Sequence, residues 1–433
     1  KRTMWRMVDL PPIASEPRRP PLFAEIAGLR ITTVPSWDEV FKWERELLRD
    51  AFRVSPEVED LSKNLFAKDM SVQDRFYKIQ EYVTRNIRYQ QDYEHTIAGV
   101  KPHTAAQVLA RQYGDCKDKA VLFITLAKTA GLKADFALVR TRNSGKVETE
   151  IPSQQFNHAI VYVPAQEGLP EGRFFDPTVD ALDVQSLRSD DQGTKSLVYN
   201  PREDKHYWQD IPFQDESFDQ SEDIVTLKID ESGKVSGQLK MQSRGKIGQI
   251  LRQRARNPEN FKQVMQYRVN QLLPGAQMRD HQALQVEDLY QPAEALIEFE
   301  HDSWVNREGE QLRLPSIVDW SPKSSFQLEE RRFPLVLGHK RQWQWTLNAQ
   351  VPENFDLSHL PEDRKVGGQC LSIERKSTWS ATEKKLKIVW LFKTLCEQLS
   401  PKAYQEYRPL ARDMMQLLNE EIVLSPRPKV KKQ

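Results

Sequence analysis

The amino-acid sequence predicts an α+β protein, with helices on an antiparallel sheet first and a β-sandwich-like region carrying a helical insertion after it. Three observations predict it. Between Ser36 and Ile87 apolar residues recur at helical spacing. A strongly apolar run, Val121 to Ala127, closes at Gly131 and reads as a buried central helix, and two strand-like segments follow it. From Asp223 onward the pattern changes to strict alternation broken by turn residues.

Residues 1–35 form a Pro-rich lead. Met4 to Val8 reads as one strand, and Pro11, Pro12, Pro17, Pro20 and Pro21 enforce an extended, stiff connector. Helices begin at Ser36, where Ser36-Trp37-Asp38-Glu39 has the spacing of a capping box, and Val40, Phe41, Trp43, Leu47, Leu48 and Phe52 supply an apolar face. Ser55-Pro56 starts a second helix, with proline where its missing N–H is harmless. Ser71 to Ile87 makes a third, striped by Phe76, Ile79, Tyr82, Val83 and Ile87. These stripes read as core. The loop from Tyr89 to His103 is polar, with His103 at the surface, and Thr104 starts a short helix that delivers the chain to Gly114.

Cys116 then stands at the first turn of the central helix. Free backbone N–H groups and the positive end of the helix dipole meet there and favour thiolate over thiol. A small buried cysteine at a helix start is the bland alternative. Two downstream segments supply partners. Phe156-Asn157-His158 opens one strand, and Arg173-Phe174-Phe175-Asp176-Pro177 ends a second in an acid and a turn. Thiolate catalysis needs an imidazole to take and return the proton, and a third group to hold that imidazole. Singly, His158 is an ordinary strand histidine and Asp176 a turn former; in the order Cys, His, Asp they read as a triad. Lys117 and Lys119 oppose the dipole and so line the cleft or form ion pairs, whereas Asp118 suits it.

Gly114-Asp115-Cys116, Asn157-His158-Ala159 and Phe175-Asp176-Pro177-Thr178 resemble the three blocks of the transglutaminase-like superfamily, cysteine enzymes of papain-like type with a permuted layout. The bacterial subgroup with Gly-Asp-Cys-Lys-Asp-Lys-Ala is the nearer match, and Pro35-Ser36-Trp37 and Arg331-Arg332-Phe333-Pro334 are similar to it too. The resemblance implies a β-rich N-terminal domain, mostly absent here, then a core and a β-rich C-terminal domain. It implies a covalent thioester, no metal or other cofactor, and an oxyanion donor upstream of the cysteine, for which Tyr89 and Gln90 are the candidates. It also implies the bacterial cell envelope, periplasmic or exported, although the residues themselves leave a cytoplasmic location open.

The resulting division is 1–35 as lead, 36–190 as catalytic core, 191–222 as linker, 223–425 as β-rich region and 426–433 as a basic, disordered tail. Within the β-rich part, Asp230 to Gly233 is a hairpin turn, Pro258 to Leu273 a helical insertion, and Gln342 to Leu347, Leu371 to Trp379 and Leu386 to Leu395 are strands. The 63 Lys and Arg balance 62 Asp and Glu, which gives no push toward nucleic acid or an anionic membrane. No run has the length of a transmembrane segment, and no phosphate loop, dinucleotide fingerprint or zinc spacing appears. Three cysteines without short spacing argue against disulfides, so Cys370 and Cys396 read as inert.

The function expected is an acyl-transfer enzyme that hydrolyses a peptide or amide bond in a peptide or protein substrate. Alternatives are a protein transglutaminase, with an amine as acceptor, a non-catalytic binding or assembly module of the cell envelope, and a redox-sensing thiol at Cys116.

Overall fold

A computed structural model describes residues 3–9, 12–13, 15–26, 28–91 and 99–427. The first half places helices on one face of an antiparallel sheet. Helices α1 (Trp37–Leu48), α2 (Pro56–Leu65), α3 (Val72–Asn86) and α4 (Ala105–Arg111) surround α5 (Cys116–Thr129). Serine or threonine oxygens cap three of them: Ser55 accepts from the Val58 N–H, Ser71 from Asp74, and Thr104 from Gln107 in a reciprocal box. Ser36 forms no such bond. The start of α1 is held instead by the Trp37 indole N–H, which donates to the Thr149 carbonyl at 2.6 Å.

The sheet has the order β3-β2-β1-β4-β5, all antiparallel, from β1 (Asp135–Val139), β2 (His158–Val163), β3 (Arg173–Phe175), β4 (Lys195–Asn200) and β5 (Lys205–Asp210). Val121, Phe123, Phe76, Ile79, Phe136, Val161 and Phe175 join in one core between helices and sheet. Burial of this kind contributes roughly 25 cal/mol per Å² of apolar area. Strands β4 and β5 fall in the segment expected to be a linker (191–222). Leu197 and Val198 are buried there, while Lys195, Lys205 and Asp210 stand at the strand ends and mask the apolar signal. The core therefore runs through β5 rather than stopping at 190.

The second half is built on an eight-stranded sheet, β8-β9-β7-β6-β12-β16-β15-β14. Its strands are β6 (Gln220–Ile229), β7 (Val235–Ser243), β8 (Gln277–Leu284), β9 (Ala293–His301), β12 (Arg341–Gln350), β14 (Arg364–Gly367), β15 (Leu371–Ser380) and β16 (Lys385–Thr394). Only β6 with β12 runs parallel among these pairings. A four-stranded sheet, β10-β11-β17-β13, lies beside it, made of Asn306–Glu308, Gln311–Leu314, Ile422–Pro426 and Phe355–His359. Helix α6 (Gly245–Ala255) precedes the expected insertion, which is α7 (Pro258–Leu272), and α8 (Pro401–Asn419) follows the eight-stranded sheet; α6 and α8 are additions to the expected helical segment. Residues of both sheets and of all three helices share one hydrophobic core.

Three further expectations are corrected. Met4 to Val8 forms no strand and is exposed. Cys370 and Cys396 are joined in a disulfide. The register of β15 on β16 pairs Leu371 with Thr394, which brings the flanking cysteines together across a sequence separation of 26. His103 is half-buried rather than at the surface, its ring against Asp118. The expected disordered tail lies mostly outside the described residues, as does 92–98 of the loop after Tyr89.

Candidate active site

Gly114 leads into the site because nothing larger fits. A Cβ at this position would stand 2.6 Å from the Asp118 Cβ. Tyr113–Gly114 pairs in parallel with Arg88–Tyr89, and the Gln90 N–H donates to the Gly114 carbonyl at 3.0 Å, so the upstream loop is fastened to the start of α5. Asp115 is the N-cap. Its side chain accepts from the N–H of Lys117 at 3.2 Å and of Asp118 at 3.4 Å, while Asp118 accepts from the Asp115 N–H at 3.2 Å. The Asp118 carboxylate also takes the His103 N–H at 2.8 Å.

Cys116 follows as the first residue of α5, half-buried, with its N–H outside that capping box. Lys117 pairs with Asp115. Lys119 is 1% exposed and donates to the Ile87 carbonyl at 2.7 Å; burial, opposed by Asp176 and Asp180, brings its ammonium down to about 8. The two lysines thus divide between an ion pair and a buried strut.

His158 begins β2 and is 7% exposed. Its neighbour Asn157 locks the strand entry: the Asn157 amide donates to the hydroxyls of Thr141 at 3.0 Å and Ser144 at 2.9 Å, and its carbonyl accepts from the Thr141 N–H at 2.9 Å. His158 Nε2 lies 3.0 Å from Asp176 Oδ2, and the Cys116 side chain acts on the same ring, favouring its charged form. With Nε2 on Asp176, Nδ1 is the nitrogen left for the thiol.

Asp176 follows β3, 1% exposed. Its Oδ1 accepts from the Thr178 N–H at 2.9 Å and hydroxyl at 2.5 Å, and the Gln80 amide donates to its backbone carbonyl at 2.7 Å. Burial acts to raise the Asp176 carboxyl, but the His158 imidazolium, Arg188 and Thr178 outweigh it and hold it well below the usual range. Burial likewise opposes the charged form of His158, and Asp176 and Cys116 override it, so the imidazole is raised well above its ordinary value. The structure thus pairs His158 with Asp176 and sets Cys116 where its side chain acts on the same imidazole.

Tyr89 is 45% exposed. Burial of its hydroxyl end, with Cys116, Asp115 and Asp176 close by, pushes the phenol up and keeps it protonated at neutral pH. The Gln90 side chain is turned to Arg88, which donates to its Oε1 at 2.5 Å. Of the two oxyanion candidates, Tyr89 is the one whose hydroxyl is acted on by the charge of Cys116.

Sequence reasoning missed Arg188 and Asp191. Asp191 is fully buried, and one of its oxygens lies with His158 and Asp176 in a group whose ligand atoms fall within 4.8 Å of one another. Such donors suit a metal ion, but the Arg188 guanidinium stands 3.8 Å from Asp176 and 3.5 Å from Asp191, so a cation already faces both carboxylates. The only sequence signal was an Asp-Asp pair in a polar run.

The comparisons with known proteins agree with this layout. Residues 59–218 match the model of the transglutaminase-like superfamily, and residues 311–424 match a domain of unknown function with a solved structure, DUF3858. The crystal structure of a candidate protease from Parabacteroides distasonis ATCC 8503 superposes with a TM-score of 0.52 at 12% identity, covering 91% of this chain. The chain spans 59% of that structure's length. No curated protein matches it. Helix α5 with its cysteine, the sheet with its histidine and acid, and the family match over the same residues lead to one conclusion: the chain carries a transglutaminase-like core domain over 59–218, with a β-rich region after it.

Proposed function

We propose that this chain is a papain-like cysteine enzyme that hydrolyses a peptide or other amide bond through a thioester on Cys116. One observation carries the reading: His158 Nε2 lies 3.0 Å from the buried Asp176 carboxylate, while Cys116, the first residue of α5, acts on the same ring. In the reaction, Cys116 Sγ attacks the substrate carbonyl as a thiolate, its proton having passed to His158. The His158 imidazolium returns that proton to the departing amine, and Asp176 holds the ring and its charge. The oxyanion forms beside the Cys116 N–H, with the Tyr89 hydroxyl as second donor. Water, activated by His158, then releases the acyl group. An amine in place of water would make the same acyl-enzyme end in a crosslink, and water is the acceptor proposed because it is always at hand.

The proposed location is the bacterial cell envelope, exported from the cytoplasm. The Cys370–Cys396 disulfide favours it, because such bonds persist in oxidising compartments.

Iodoacetamide labelling against pH tests the chemistry. With Cys370 and Cys396 bonded, Cys116 is the free thiol among the three cysteines, so uptake reads one site. Fast labelling at about pH 6, well under the ordinary thiol range near 8.5, that His158→Ala slows, supports the reading. Slow labelling indifferent to His158 points to a non-catalytic module.

A further inference from the structure

We propose that Asp191, together with Arg188, is a positioning residue for the His158–Asp176 pair, setting the direction and charge of the carboxylate that orients the histidine. This assignment rests on the Cys116–His158–Asp176 chemistry proposed above.

Asp191 has no exposure to solvent, and neither of its carboxylate oxygens has a hydrogen-bond donor at good geometry. Arg188 Nη2 stands 3.5 Å from Asp191 Oδ1. Arg188 is itself divided: Nε bonds Asp190 Oδ1 at 2.6 Å and lies 3.8 Å from Asp176 Oδ2. An ionised carboxylate with no hydrogen bond in a sealed site is strongly disfavoured, and two carboxylates side by side cannot both ionise. Asp176 takes the charge, because His158 and the Thr178 N–H and hydroxyl serve its oxygens. Asp191 therefore keeps a proton. Burial first and then Asp176 push its carboxyl well above the usual range.

A neutral Asp191 changes what the residue can do. It becomes a donor, and Asp176 is the acceptor beside it. The Asp176 carboxylate is then held by His158, by Thr178 and by Asp191, with Arg188 supplying charge from the outer side. The groups that face Asp191 are Asp176 from the turn after β3, His158 from β2 and Arg188 from its own loop. Cys116 bears on it through His158, and Lys119 of α5 through Asp176. The arrangement keeps one negative charge, not two, behind the imidazole.

The test is iodoacetamide alkylation of Cys116 across pH in the full chain, comparing wild type, His158→Ala, Asp191→Asn and Asp191→Ala. Asparagine has nearly the same shape and a neutral donor, so Asp191→Asn is expected to stay within about threefold of wild type. Asp191→Ala, lacking the donor, is expected to lose about tenfold to a hundredfold at about pH 6, the scale on which a misplaced orienting group is felt. Should Asp191→Ala not fold, Asp191→Leu, of larger volume and without a donor, makes the same comparison. Wild-type rates from Asp191→Ala or Asp191→Leu overturn this inference and leave the proposed function standing. An Asp191→Asn rate as low as that of Asp191→Ala also overturns it, because an ionised Asp191 is what asparagine could not replace. Slow, His158-independent alkylation in wild type overturns the proposed function, and this inference with it.

Discussion

Arg252 Nη2 donates to Asp183 Oδ1 at 2.8 Å, and both side chains are sealed from solvent. Arg252 belongs to α6 of the β-rich region, whereas Asp183 lies on the segment between Asp176 and Asp191. The other Asp183 oxygen accepts from the Gly245 N–H at 2.6 Å at the head of α6, and Arg252 also donates to the carbonyls of Ala181, Asp288 and Gln291. The Val184 N–H donates to the Leu289 carbonyl at 3.1 Å, and Leu289 is buried in the core of the first half. The loop that carries the acids is thus fastened by the other half of the chain.

Arg252→Met should accordingly lower stability by about 3–5 kcal/mol, because it strands Asp183 as a buried, unpaired charge. Guanidinium unfolding measures the loss, and Cys116 alkylation should slow in the same variant as the acid loop loosens. An unchanged midpoint would remove the pair from the interface.

Asp176→Asn carries a pH signature. The depressed Asp176 carboxyl contributes stability above its ordinary range near 3.9, and that contribution is lost as pH falls through its folded value. The raised His158 contributes fully below about 6.5 and is lost as pH rises through its folded value. The gap in Tm between wild type and Asp176→Asn should therefore be widest between about pH 4 and pH 6.5 and narrow on either side. A gap independent of pH would mean the pair is not charged in the folded protein.

Cys116→Ala and His158→Ala should each abolish hydrolysis of any amide substrate found in a screen. The thermal melt of Cys116→Ala should stay close to wild type, since Cys116 is only half-buried at a helix end. His158→Ala leaves the buried Asp176 without its partner and should melt lower. Turnover surviving in either would sink the triad.

Tyr89→Phe should reduce turnover of the same substrate by about a hundredfold, the scale of one lost oxyanion donor, and leave iodoacetamide uptake at Cys116 unaffected. Alkylation makes no oxyanion, so a fall in both rates would assign Tyr89 to packing instead.

Replacing Cys370 and Cys396 by serine should cost about 3–4 kcal/mol on the chain-entropy estimate for a loop of this length. The midpoint of tryptophan fluorescence in denaturant reads it, with Trp345 and Trp390 in the affected core.

How much of this the residues announce depends on how local the signal is. Ser55-Pro56, Ser71 and Thr104 mark helix starts within a few positions, and the structure places α2, α3 and α4 there. Gly114-Asp115-Cys116 and Asn157-His158 are readable as blocks, because each needs its neighbours for the local lock: Gly114 to clear Asp118, Asn157 to bind Thr141 and Ser144. Asp191 is not readable in that way. Its meaning comes from Asp176 and His158, which reach it only through the folded sheet. The disulfide was hidden for a related reason, since only the register of β15 on β16 brings Cys370 to Cys396. Strands β4 and β5 were lost in a polar run whose charges lie mostly at strand ends.

The one parallel pairing in the eight-stranded sheet bears on the order in which the protein assembles. Gln220 on β6 lies beside Gln342 on β12, 122 positions away along the chain. Closing so long a loop is entropically unfavourable and slow compared with joining hairpins. During synthesis, strands β1 to β5 and the helices above them can meet while the later strands are still being made. The clasp on Asp183 and the Leu289 plug arrive later, from the start of the β-rich region. A nascent chain would thus hold its cysteine and histidine in place before its acid loop is pinned, so the potential for reaction would be withheld until the chain through Leu289 has been made and has docked.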